Sequence, residues 1–297
     1  MDLLTVFAHF DVDGLVAPHV RRYLDALAEV SSRLVIVSSS PLTTAASAEL
    51  SAYGRLIQRE NSGYDFYSWR TGLVDTPGWQ DAGSILLAND SMVGPVRPLR
   101  DVLGRLDSRG FDHAGITTSD EIQPHVQSYF ARFGPRAVAS PLFQAFWLGM
   151  PVVNDRYWVI RRFELGLSRL MRYEGLSMGA YFQPSRFERS LAQERKSASL
   201  GRRAPELLAR TRAALRPAGR VQPADHTLSL ADRILDDGRM PFIKVSFLRD
   251  DPYAVGAEAL LRRCEEEYPR EFEGVREYVE RIRPRYQARH NQPRRSA

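Results

Sequence analysis

The chain has 297 residues, with 41 Lys and Arg against 36 Asp and Glu, so its net charge is +5. An apolar content of 43% at this length supports a sizeable buried core and excludes a wholly disordered protein. The positive charge is concentrated in residues 184–220 and 281–297, which carry +7 and +6, so the remainder of the chain carries −8. An acidic main body argues against a nucleic-acid groove, and we expect no nucleic-acid partner.

Cysteine content and hydropathy bear on the compartment. Cys264 is the single cysteine, which excludes an intrachain disulfide and a cysteine metal cluster and favours the reducing cytoplasm. Residues 137–154 contain no charged side chain over 18 positions. Because this stretch includes Pro141, Pro151 and polar residues, we predict a buried core segment, with an interfacial membrane contact as the alternative.

The first third of the chain has the pattern of a parallel sheet. Two apolar runs of strand length, residues 3–10 and 33–40, flank a segment whose apolar residues recur at helical spacing. This predicts a β-α-β opening. A short helix over residues 46–50 and a third buried strand over residues 84–88 follow. The strand stops at Asn89-Asp90-Ser91, and Gly94-Pro95 prevents its continuation.

The later part of the chain has a less regular sequence pattern. A helix to about residue 106 is followed by strand-like residues 114–117 and 126–133, and then by a helix around residues 143–147. Residues 158–173 form an amphipathic helix that ends near Gly175. The remaining expectations are a helical or partly disordered insertion over 184–220, a strand-like return over 241–248, and a charged helix pair over 254–283 broken by Pro269.

A short polar motif, Asn89-Asp90-Ser91, follows the third predicted strand. Hard cations such as Mg²⁺ or Mn²⁺ take oxygen ligands, and few protein carboxylates are needed when phosphate oxygens complete the shell. The motif is therefore a candidate metal site with Asp90 as the ligand. The alternative is an Asx-turn or a helix N-cap without a metal.

The segment 59–69 places two acids, an arginine, an amide and several aromatic side chains around Gly63. A nucleotide site needs an acid or amide for the ribose hydroxyls, an apolar face for the base and a close approach of the backbone. We interpret this segment as a candidate nucleotide site. The alternative is a surface loop that begins a helix with an aromatic face.

Two carboxylates are candidates for a general base. Glu164 lies near the start of the amphipathic helix beside its apolar face, where partial desolvation favours proton uptake. The alternative role for Glu164 is to stabilise the helix N-terminus. The second candidate is Asp120, which belongs to a polar cluster with Glu121, His125, Gln127 and Ser128.

Several other chemistries are disfavoured. His9 and His125 lack any spacing typical of zinc ligands. No Gly-x-Gly-x-x-Gly, Walker loop or Gly-x-Ser-x-Gly motif occurs, which argues against dinucleotide redox, P-loop and serine-hydrolase chemistry.

These segments in this order resemble the rhamnan synthesis F family, rhamnosyltransferases of bacterial cell-wall and O-antigen polysaccharides. The resemblance covers most of the chain and rests on FAHFDVDGLVAPHVRRYLDAL, VIVSSS, RENSGYDFYSWRTGL, LLANDSMVGP, GITTSDEIQPHVQSYFARF, FELGLSRLMRYEG and PFIKVSFLRDDP. RENSGYDF together with NDSMVGP and HVQSYF is the specific part. The resemblance implies an α/β fold, a GT-A-like mixed sheet that binds a nucleotide-sugar and is flanked by helices, with a helical basic C-terminal extension.

The resemblance also implies roles for individual residues. Asp90, the single aspartate where GT-A enzymes carry Asp-x-Asp, is implied to hold a metal and the diphosphate, and Glu164 to supply the catalytic base, with Asp120 as the other candidate. Donor binding is assigned to Asp11, Ser38, Ser39, Arg59, Asn61, Gly63, Asp65, Asn89, Asp90 and Ser91. Acceptor binding is assigned to His125, Gln127 and Trp147.

The function implied is inverting transfer of a sugar, rhamnose from dTDP-rhamnose, to a lipid-linked cell-surface polysaccharide, with Mg²⁺ or Mn²⁺ as the cofactor. The alternative is a non-catalytic protein that binds a nucleotide-sugar or a glycan on a degenerate GT-A fold. We expect a cytoplasmic protein on the inner face of the cell membrane, held at anionic lipid by residues 184–220 and 281–297.

The domain organisation predicted on this basis has four parts. Residues 1–183 form the catalytic domain, and residues 184–222 form an Arg-rich insertion or linker. Residues 223–283 form a strand-helix segment that packs on the catalytic domain, and residues 284–297 form a basic tail.

Overall fold

A mixed seven-stranded sheet lies at the centre of the computed structural model, which describes the backbone of residues 2–210 and 223–291 and the side chains of residues 2–199 and 223–286. The strands are β1 (Leu3–His9), β2 (Arg33–Ser38), β3 (Arg55–Gln58), β4 (Ser84–Asn89), β5 (Met92–Val93), β6 (His113–Gly115), β7 (Thr118–Ser119), β8 (His125–Val126), β9 (Phe130–Phe133), β10 (Met178–Ala180) and β11 (Ile243–Lys244). The sheet order is β10-β6-β9-β4-β1-β2-β3, and two further sheets pair β11 with β5 and β7 with β8.

Helices surround the sheet. They are α1 (Pro18–Ala28), α2 (Thr44–Tyr53), α3 (Tyr64–Val74), α4 (Leu99–Ser108), α5 (Pro135–Val138), α6 (Pro141–Leu148), α7 (Arg156–Val159), α8 (Leu165–Tyr173), α9 (Arg186–Arg210), α10 (His226–Ser229), α11 (Val245–Asp250), α12 (Ala257–Glu267), α13 (Pro269–Phe272) and α14 (Val275–Asn291). The mixed sheet flanked by helices, with a helical C-terminal part, confirms the predicted α/β architecture.

Strands β3, β2, β1 and β4 are neighbours in this order and all run parallel, as the β-α-β opening predicts. Strand β9 lies antiparallel to both β4 and β6. Parallel strands end at the same edge of the sheet, so the residues that follow β1, β2, β3 and β4 meet there. This carboxyl edge carries most of the side chains to which the sequence assigned donor contacts.

Apolar side chains alternate between the two faces of the sheet. On β1, Phe7 joins a core with the apolar faces of α1 and α4, whereas Val6 joins a second core with α3, α6 and α8. This period of two is expected for strands covered by helices on both faces. A third core unites α11, α12 and α14 with Val93 and Ile243, and it contains the buried Cys264.

Two strand predictions are only partly right. Residues 126–133 do not form one strand, because β8 pairs with β7 in a separate sheet and residues 127–129 lie between it and β9. In residues 241–248 only Ile243 and Lys244 are extended, and α11 begins at Val245. The partner strand β5 has only two residues and is followed by Gly94-Pro95, which limits the length of the pair.

The uncharged stretch 137–154 holds α5, α6 and the loop after them. Phe143 and Trp147 of α6 are fully buried, as predicted for a core segment, but Leu142 and Leu148 are 44% and 49% exposed on the opposite face. Among the described helices, none combines the length and the apolar character needed to cross a bilayer.

Helices extend into both of the predicted basic segments near the C-terminus. Helix α9 begins at Arg186, and the remainder of the predicted 184–220 insertion beyond residue 210 lies outside the described residues. Helix α14 continues through Pro284 to Asn291, so the first part of the predicted 284–297 tail is helical. The proposed division of the chain into four parts stays a prediction.

Candidate functional site

Asp90 occupies the centre of the carboxyl edge, directly after β4. Its Oδ2 accepts a hydrogen bond from the Phe10 N–H at 2.5 Å, which joins the ends of β4 and β1. The buried His19 of α1 contacts the Asp90 carbonyl oxygen at 3.2 Å through Nε2. Burial and the neighbouring carboxylates of Asp65 and Asp11 raise the pKa of Asp90 well above its usual range. A cation or a hydrogen-bond donor entering the site would relieve this repulsion.

Asp65 lies at the start of α3 and is linked to the motif after β4. Asn89 donates from Nδ2 to Asp65 Oδ2 at 2.7 Å, while its Oδ1 accepts from the N–H and the hydroxyl of Ser91 at 3.2 and 2.6 Å. Burial raises the pKa of Asp65. The Asx-turn foreseen as the alternative is therefore present, and it orients the two carboxylates of the edge.

The loop after β1 is joined to the serines that end β2. The Ser40 hydroxyl accepts from the Asp11 N–H at 2.7 Å, and Ser38 Oγ lies 3.0 Å from His9 Nδ1. Ser39 is buried, and its N–H donates to the His9 carbonyl at 3.0 Å. The predicted donor residues Asp11, Ser38 and Ser39 are thus brought to one place, and Ser40 joins them.

Arg59 lies beside this edge but is occupied by its own loop. Its guanidinium donates to the carbonyls of Glu60, Ser62 and Tyr64 at 2.6–2.9 Å and twice to Ser68 Oγ at 2.8 and 3.1 Å. All five N–H donors are therefore bound. The structure gives Arg59 the role of shaping the loop that carries Asp65, in place of a free contact to a diphosphate.

Gly63 is required by the conformation of the same loop. Its φ of +71° is in the left-handed region, and an added Cβ would lie 2.5 Å from Tyr67 Cβ. Its N–H donates to Asn154 Oδ1 at 2.7 Å, which ties the loop to the segment before α7. Asn61, two residues earlier, is exposed.

Helix α14 closes one side of the edge, which the sequence did not indicate. Arg281 binds Asp11 Oδ2 at 2.5 Å and also pairs with Asp13, while Arg285 binds Asp13 Oδ1 at 2.7 Å. Burial alone would raise the pKa of Asp11, but the bonds from Arg281 and from the Asp13 N–H hold it below its usual value. A cavity of about 30 Å³ remains between α14 and the loop after β1. Small-molecule sites usually measure several hundred Å³, so α14 covers this part of the edge.

Glu164 is positioned by a π-helical turn, Ile160–Glu164, between α7 and α8. π-turns inside α-helices occur often at functional sites. The Ser128 N–H and hydroxyl both donate to Glu164 Oε1 at 2.9 Å. Within the described part of the chain Oε2 has no hydrogen-bond partner. Ser128 was in the predicted polar cluster, but its contact with Glu164 was not foreseen.

Glu164 and Asp65 are each next in sequence to an aromatic core residue. Their neighbours in sequence, Phe163 and Phe66, are in ring contact with centroids 5.7 Å apart. Ser128, which binds Glu164, precedes β9, and Phe130 of β9 pairs with Ala88 of β4, so Glu164 lies near the carboxyl end of β4.

The other members of the polar cluster divide into two groups. Asp120 is exposed, and its charge acts on His226 of α10. Gln127 is buried, and both ends of its amide are bound internally, Oε1 to Thr117 at 2.6 Å and Nε2 to Asp225 at 3.2 Å. His125 is buried, with Nδ1 2.8 Å from the Gln123 carbonyl. These contacts fix β7, β8 and the segment before α10.

Trp147 does not reach a surface. It is fully buried and packs among Phe66, Phe143 and Phe146, with ring centroids 5.2–6.1 Å apart. The resemblance assigned it to acceptor binding. The structure makes it a core residue, because α6 turns this side towards the sheet.

The fit of a divalent cation can be judged from the carboxylates. Over the described residues, no group of three or more His, Cys, Asp or Glu side chains is arranged to hold a metal. Asp90 offers one carboxylate that is already bonded to the Phe10 N–H. This set fits a cation only if diphosphate oxygens supply other ligands.

A sequence model of the family described as "Rhamnan synthesis protein F" matches residues 34–215, more than half of the chain. The matched range includes the loop with Arg59 and Asp65, the Asn89-Asp90-Ser91 motif and Glu164.

Two curated relatives are similar over part of their length. The uncharacterized protein y4gN of Sinorhizobium fredii is 31% identical over 157 residues, 51% of this chain and 41% of that protein. The virulence protein VirA of Vibrio anguillarum is 33% identical over 125 residues, 40% of this chain and 40% of that protein. The chain thus spans about two fifths of the length of these relatives.

Solved structures are similar only distantly. Glucosyl-3-phosphoglycerate synthase from Mycobacterium tuberculosis, in a complex with phosphoglyceric acid, has a TM-score of 0.40 and 12% identity, covering 68% of this chain and 79% of that chain. The same enzyme with Mn²⁺ and UDP-glucose has a TM-score of 0.39 and 12% identity, covering 74% and 83%. Similarity at this level supports no functional conclusion about the present chain.

Proposed function

This chain belongs to the rhamnan synthesis protein F family, and we propose that it is a glycosyltransferase with a nucleotide-sugar donor. The observation that carries the proposal is the carboxylate-bearing edge formed by Asp11, Asp65 and Asp90 at the ends of parallel strands, together with Glu164, which Ser128 anchors. Open α/β sheets bind ligands at this edge. A GT-A-like arrangement, and dTDP-rhamnose as the specific donor, are part of the proposal.

The donor lies in this proposal along the ends of β1, β2 and β4. The loop shaped by Arg59 presents Asp65 to the ribose or the sugar, and the serines after β2 border the nucleotide. Ser38 and Asn89 support this edge through internal hydrogen bonds, because their polar groups are bound by His9, Asp65 and Ser91.

In the proposed transfer step, Glu164 is the general base. The acceptor oxygen forms a bond to the anomeric carbon, the bond from that carbon to the diphosphate breaks, and the hydroxyl proton passes to Glu164. Ser128 binds Oε1, so Oε2 is the oxygen left to take the proton of the acceptor hydroxyl. A positioned base contributes typically about 10²–10⁴-fold to the rate. Asp120 is retained as the alternative base, since it is exposed and unbonded among the described residues.

The proposal includes a divalent cation, Mg²⁺ or Mn²⁺, which Asp90 would hold together with the diphosphate. When bound, it would neutralise the charge that develops on the leaving group. The Phe10 N–H holds the Asp90 carboxylate in a fixed position for this purpose.

The acceptor is proposed to be a lipid-linked glycan at an anionic membrane surface. The support is an exposed surface on α6, α7 and the following turn, which we call the aromatic-basic surface: Leu142, Leu148, Val152, Tyr157, Trp158, Arg161 and Arg162. Tyr157 and Trp158 are 50% and 47% exposed, and Arg161 and Arg162 stack on their rings at 4.9 and 5.5 Å. Aromatic and basic side chains together are typical of membrane interfaces. This surface adjoins Glu164 in the sequence.

The first experiment combines ligand screening with turnover. We expect dTDP-rhamnose, among dTDP-, UDP- and GDP-sugars, to raise the melting temperature most, because a ligand that binds only the native state stabilises it. Donor consumption in the presence of a glycan acceptor and Mg²⁺ or Mn²⁺ should then be lost in Asp90→Ala and reduced about 10²-fold or more in Glu164→Gln.

The control variant is Asp120→Asn, which should retain turnover if Glu164 is the base. The reverse pattern would move the base role to Asp120. Donor binding by the wild-type chain without hydrolysis or transfer would instead support a binding protein with a degenerate site.

A further inference from the structure

Lys244 is a half-buried cation that no carboxylate of the described residues neutralises by an ion pair. Its ammonium nitrogen lies 5.6 Å from the centroid of the Tyr129 ring, and within the described chain it has no hydrogen-bond partner. The chain has only one other lysine, Lys196, which binds Glu121 at 3.2 Å and the Pro223 carbonyl at 2.8 Å. A cation that is removed partly from water is normally paired. Lys244 therefore has unused binding capacity.

The fold places Lys244 next to the motif that follows β4. Strand β11 pairs antiparallel with β5, with Lys244 opposite Met92. The Val245 N–H donates to the Ser91 carbonyl at 2.8 Å, which fixes the main chain beside the Asn89-Asp90-Ser91 turn. Two segments about 150 residues apart in the chain are thereby held in register.

The charges around Lys244 indicate what it can bind. Its positive charge acts on Asp65 and lowers the pKa of that carboxyl, although burial raises it overall. Of the other cations near the edge, Arg59 is bound by its loop and Arg281 by Asp11 and Asp13, whereas Arg156, whose charge also lowers the pKa of Asp65, lies exposed to solvent. An anionic ligand at an edge with three aspartates needs an uncommitted cation, and a lysine ammonium with three donors is a common phosphate ligand.

We propose that the ammonium group of Lys244 binds the diphosphate of the nucleotide-sugar donor and stabilises the negative charge of the departing nucleoside diphosphate. This inference rests on the proposed function and extends it to a segment, β11, that no sequence assignment connected with the donor. Lys244 would supply fixed positive charge beside Asp90, whether or not a divalent cation is also bound.

The two lysines allow a test on the wild-type chain. Pyridoxal 5′-phosphate condenses with an amine to an imine with loss of water, and borohydride reduces the imine to a stable amine that peptide mass spectrometry locates. We expect dTDP or UDP to protect Lys244 from labelling, whereas thymidine or uridine, which lack phosphates, should not. Labelling of Lys196 should be the same with and without nucleotide. Unchanged labelling of Lys244 at saturating nucleoside diphosphate would overturn the proposal.

Affinity measurements on variants give the second test. Lys244→Met removes the charge and keeps the apolar stem, and Lys196→Met is the matched control. By calorimetry we expect Lys244→Met to weaken binding of dTDP or UDP by about ten- to a hundredfold, the loss typical of a charged hydrogen bond, and Lys196→Met to leave it within about twofold.

The outcomes separate the two proposals. Equal affinity of wild type and Lys244→Met for the nucleoside diphosphate would reject the role of Lys244 and leave the glycosyltransferase proposal intact. If the folded wild-type chain binds no nucleoside diphosphate, both proposals fail. Should Lys244→Met not fold, the protection experiment on the wild-type chain decides.

Discussion

Arg59 shapes the loop between β3 and α3, because its guanidinium binds three carbonyls and the Ser68 hydroxyl at once. The guanidinium also lies 5.3 Å from the centroid of the Tyr67 ring. A planar group with five donors in fixed directions suits this set of acceptors, which a lysine cannot reproduce. At the scale of single residues, a charge near a candidate anion site can thus be structural.

We predict that Arg59→Lys lowers the free energy of unfolding by about 1–3 kcal/mol, because loop carbonyls and the buried Ser68 hydroxyl lose their donors. Urea unfolding at pH 7 measures this loss. Arg70→Lys is the matched control, since Arg70 stacks on the same Tyr67 ring at 5.6 Å but makes no hydrogen bond among the described residues. An equal loss in the two variants would show that ring stacking, and not the donors of Arg59, stabilises the loop.

At the scale of secondary-structure elements, a histidine of one strand is buried against a phenylalanine of the next. His113 of β6 faces Phe133 of β9, and their rings stack with centroids 4.4 Å apart and an interplanar angle of 4°. Burial lowers the pKa of His113 to about 4. The folded protein therefore holds this imidazole neutral at a pH where the unfolded chain protonates it.

This pKa shift predicts a pH dependence of stability. Between about pH 6.5 and pH 4 the unfolded state binds more protons at His113, so the stability contribution is complete above pH 6.5 and is lost as the pH falls. We expect the free energy of unfolding of His113→Phe, which keeps the stacked ring, to fall by about 3 kcal/mol less between pH 7 and pH 4 than that of the wild type. Parallel pH profiles of the unfolding free energy would contradict the assignment.

Helix α14 is held at the candidate site by charge. Arg281 is 30% exposed in its side chain and pairs with Asp11, whose side chain is 4% exposed. We expect Arg281→Ala to destabilise the protein by about 1–3 kcal/mol, because a buried carboxylate loses its partner, and to raise the pKa of Asp11.

The control on the same helix is Arg276→Ala. Arg276 pairs with the more exposed Glu258 and Glu265 of α12, so its loss should cost at most about 1 kcal/mol. Hydrogen exchange provides a second measurement, since the amides of Asp13 and Leu15 bond to Asp11. Unchanged exchange of these amides in Arg281→Ala would mean that α14 does not order the loop.

At the scale of the whole molecule, the basic segments are less separate from the acidic body than their charge suggests. Among the described residues of these segments, Arg195 and Lys196 pair with Asp232 and Glu121. In α14, Arg281 and Arg285 pair with acids of the loop after β1. These cations therefore pair with four carboxylates of the acidic body. The predicted membrane role of residues 184–220 and 281–297 stays a prediction for their other cations.

We predict that the aromatic-basic surface contributes to membrane binding. Trp158→Ser and the double variant Arg161→Glu, Arg162→Glu should each reduce co-sedimentation with vesicles that contain anionic lipid, because each arginine near the surface is worth about 1 kcal/mol. Arg195→Gln, in which the exchanged residue is paired with Asp232, is the control. Binding that depends on neither anionic lipid nor salt, or equal loss in all variants, would argue against this surface.

The sequence by itself determined the elements whose signals are local. The apolar runs of β1, β2 and β4 and the helical spacing of α1 and α8 follow from burial with periods of two and 3.6 residues, and these predictions are confirmed. The order of the strands then placed Asp11, Ser38, Ser39 and Asp90 at one edge, because parallel strands end together.

Only the tertiary structure decided which groups are free to act. The pairing of β11 with β5 brought Lys244 to the edge, the docking of α14 brought Arg281 to Asp11, and the packing of α6 buried Trp147. These contacts join residues as far apart as Phe66 and Trp147, or Arg281 and Asp11, which are 270 positions apart, and they depend on how helices and strands pack. Residue type and spacing state which chemistry a side chain can perform, but its burial and its partners determine whether that chemistry is available.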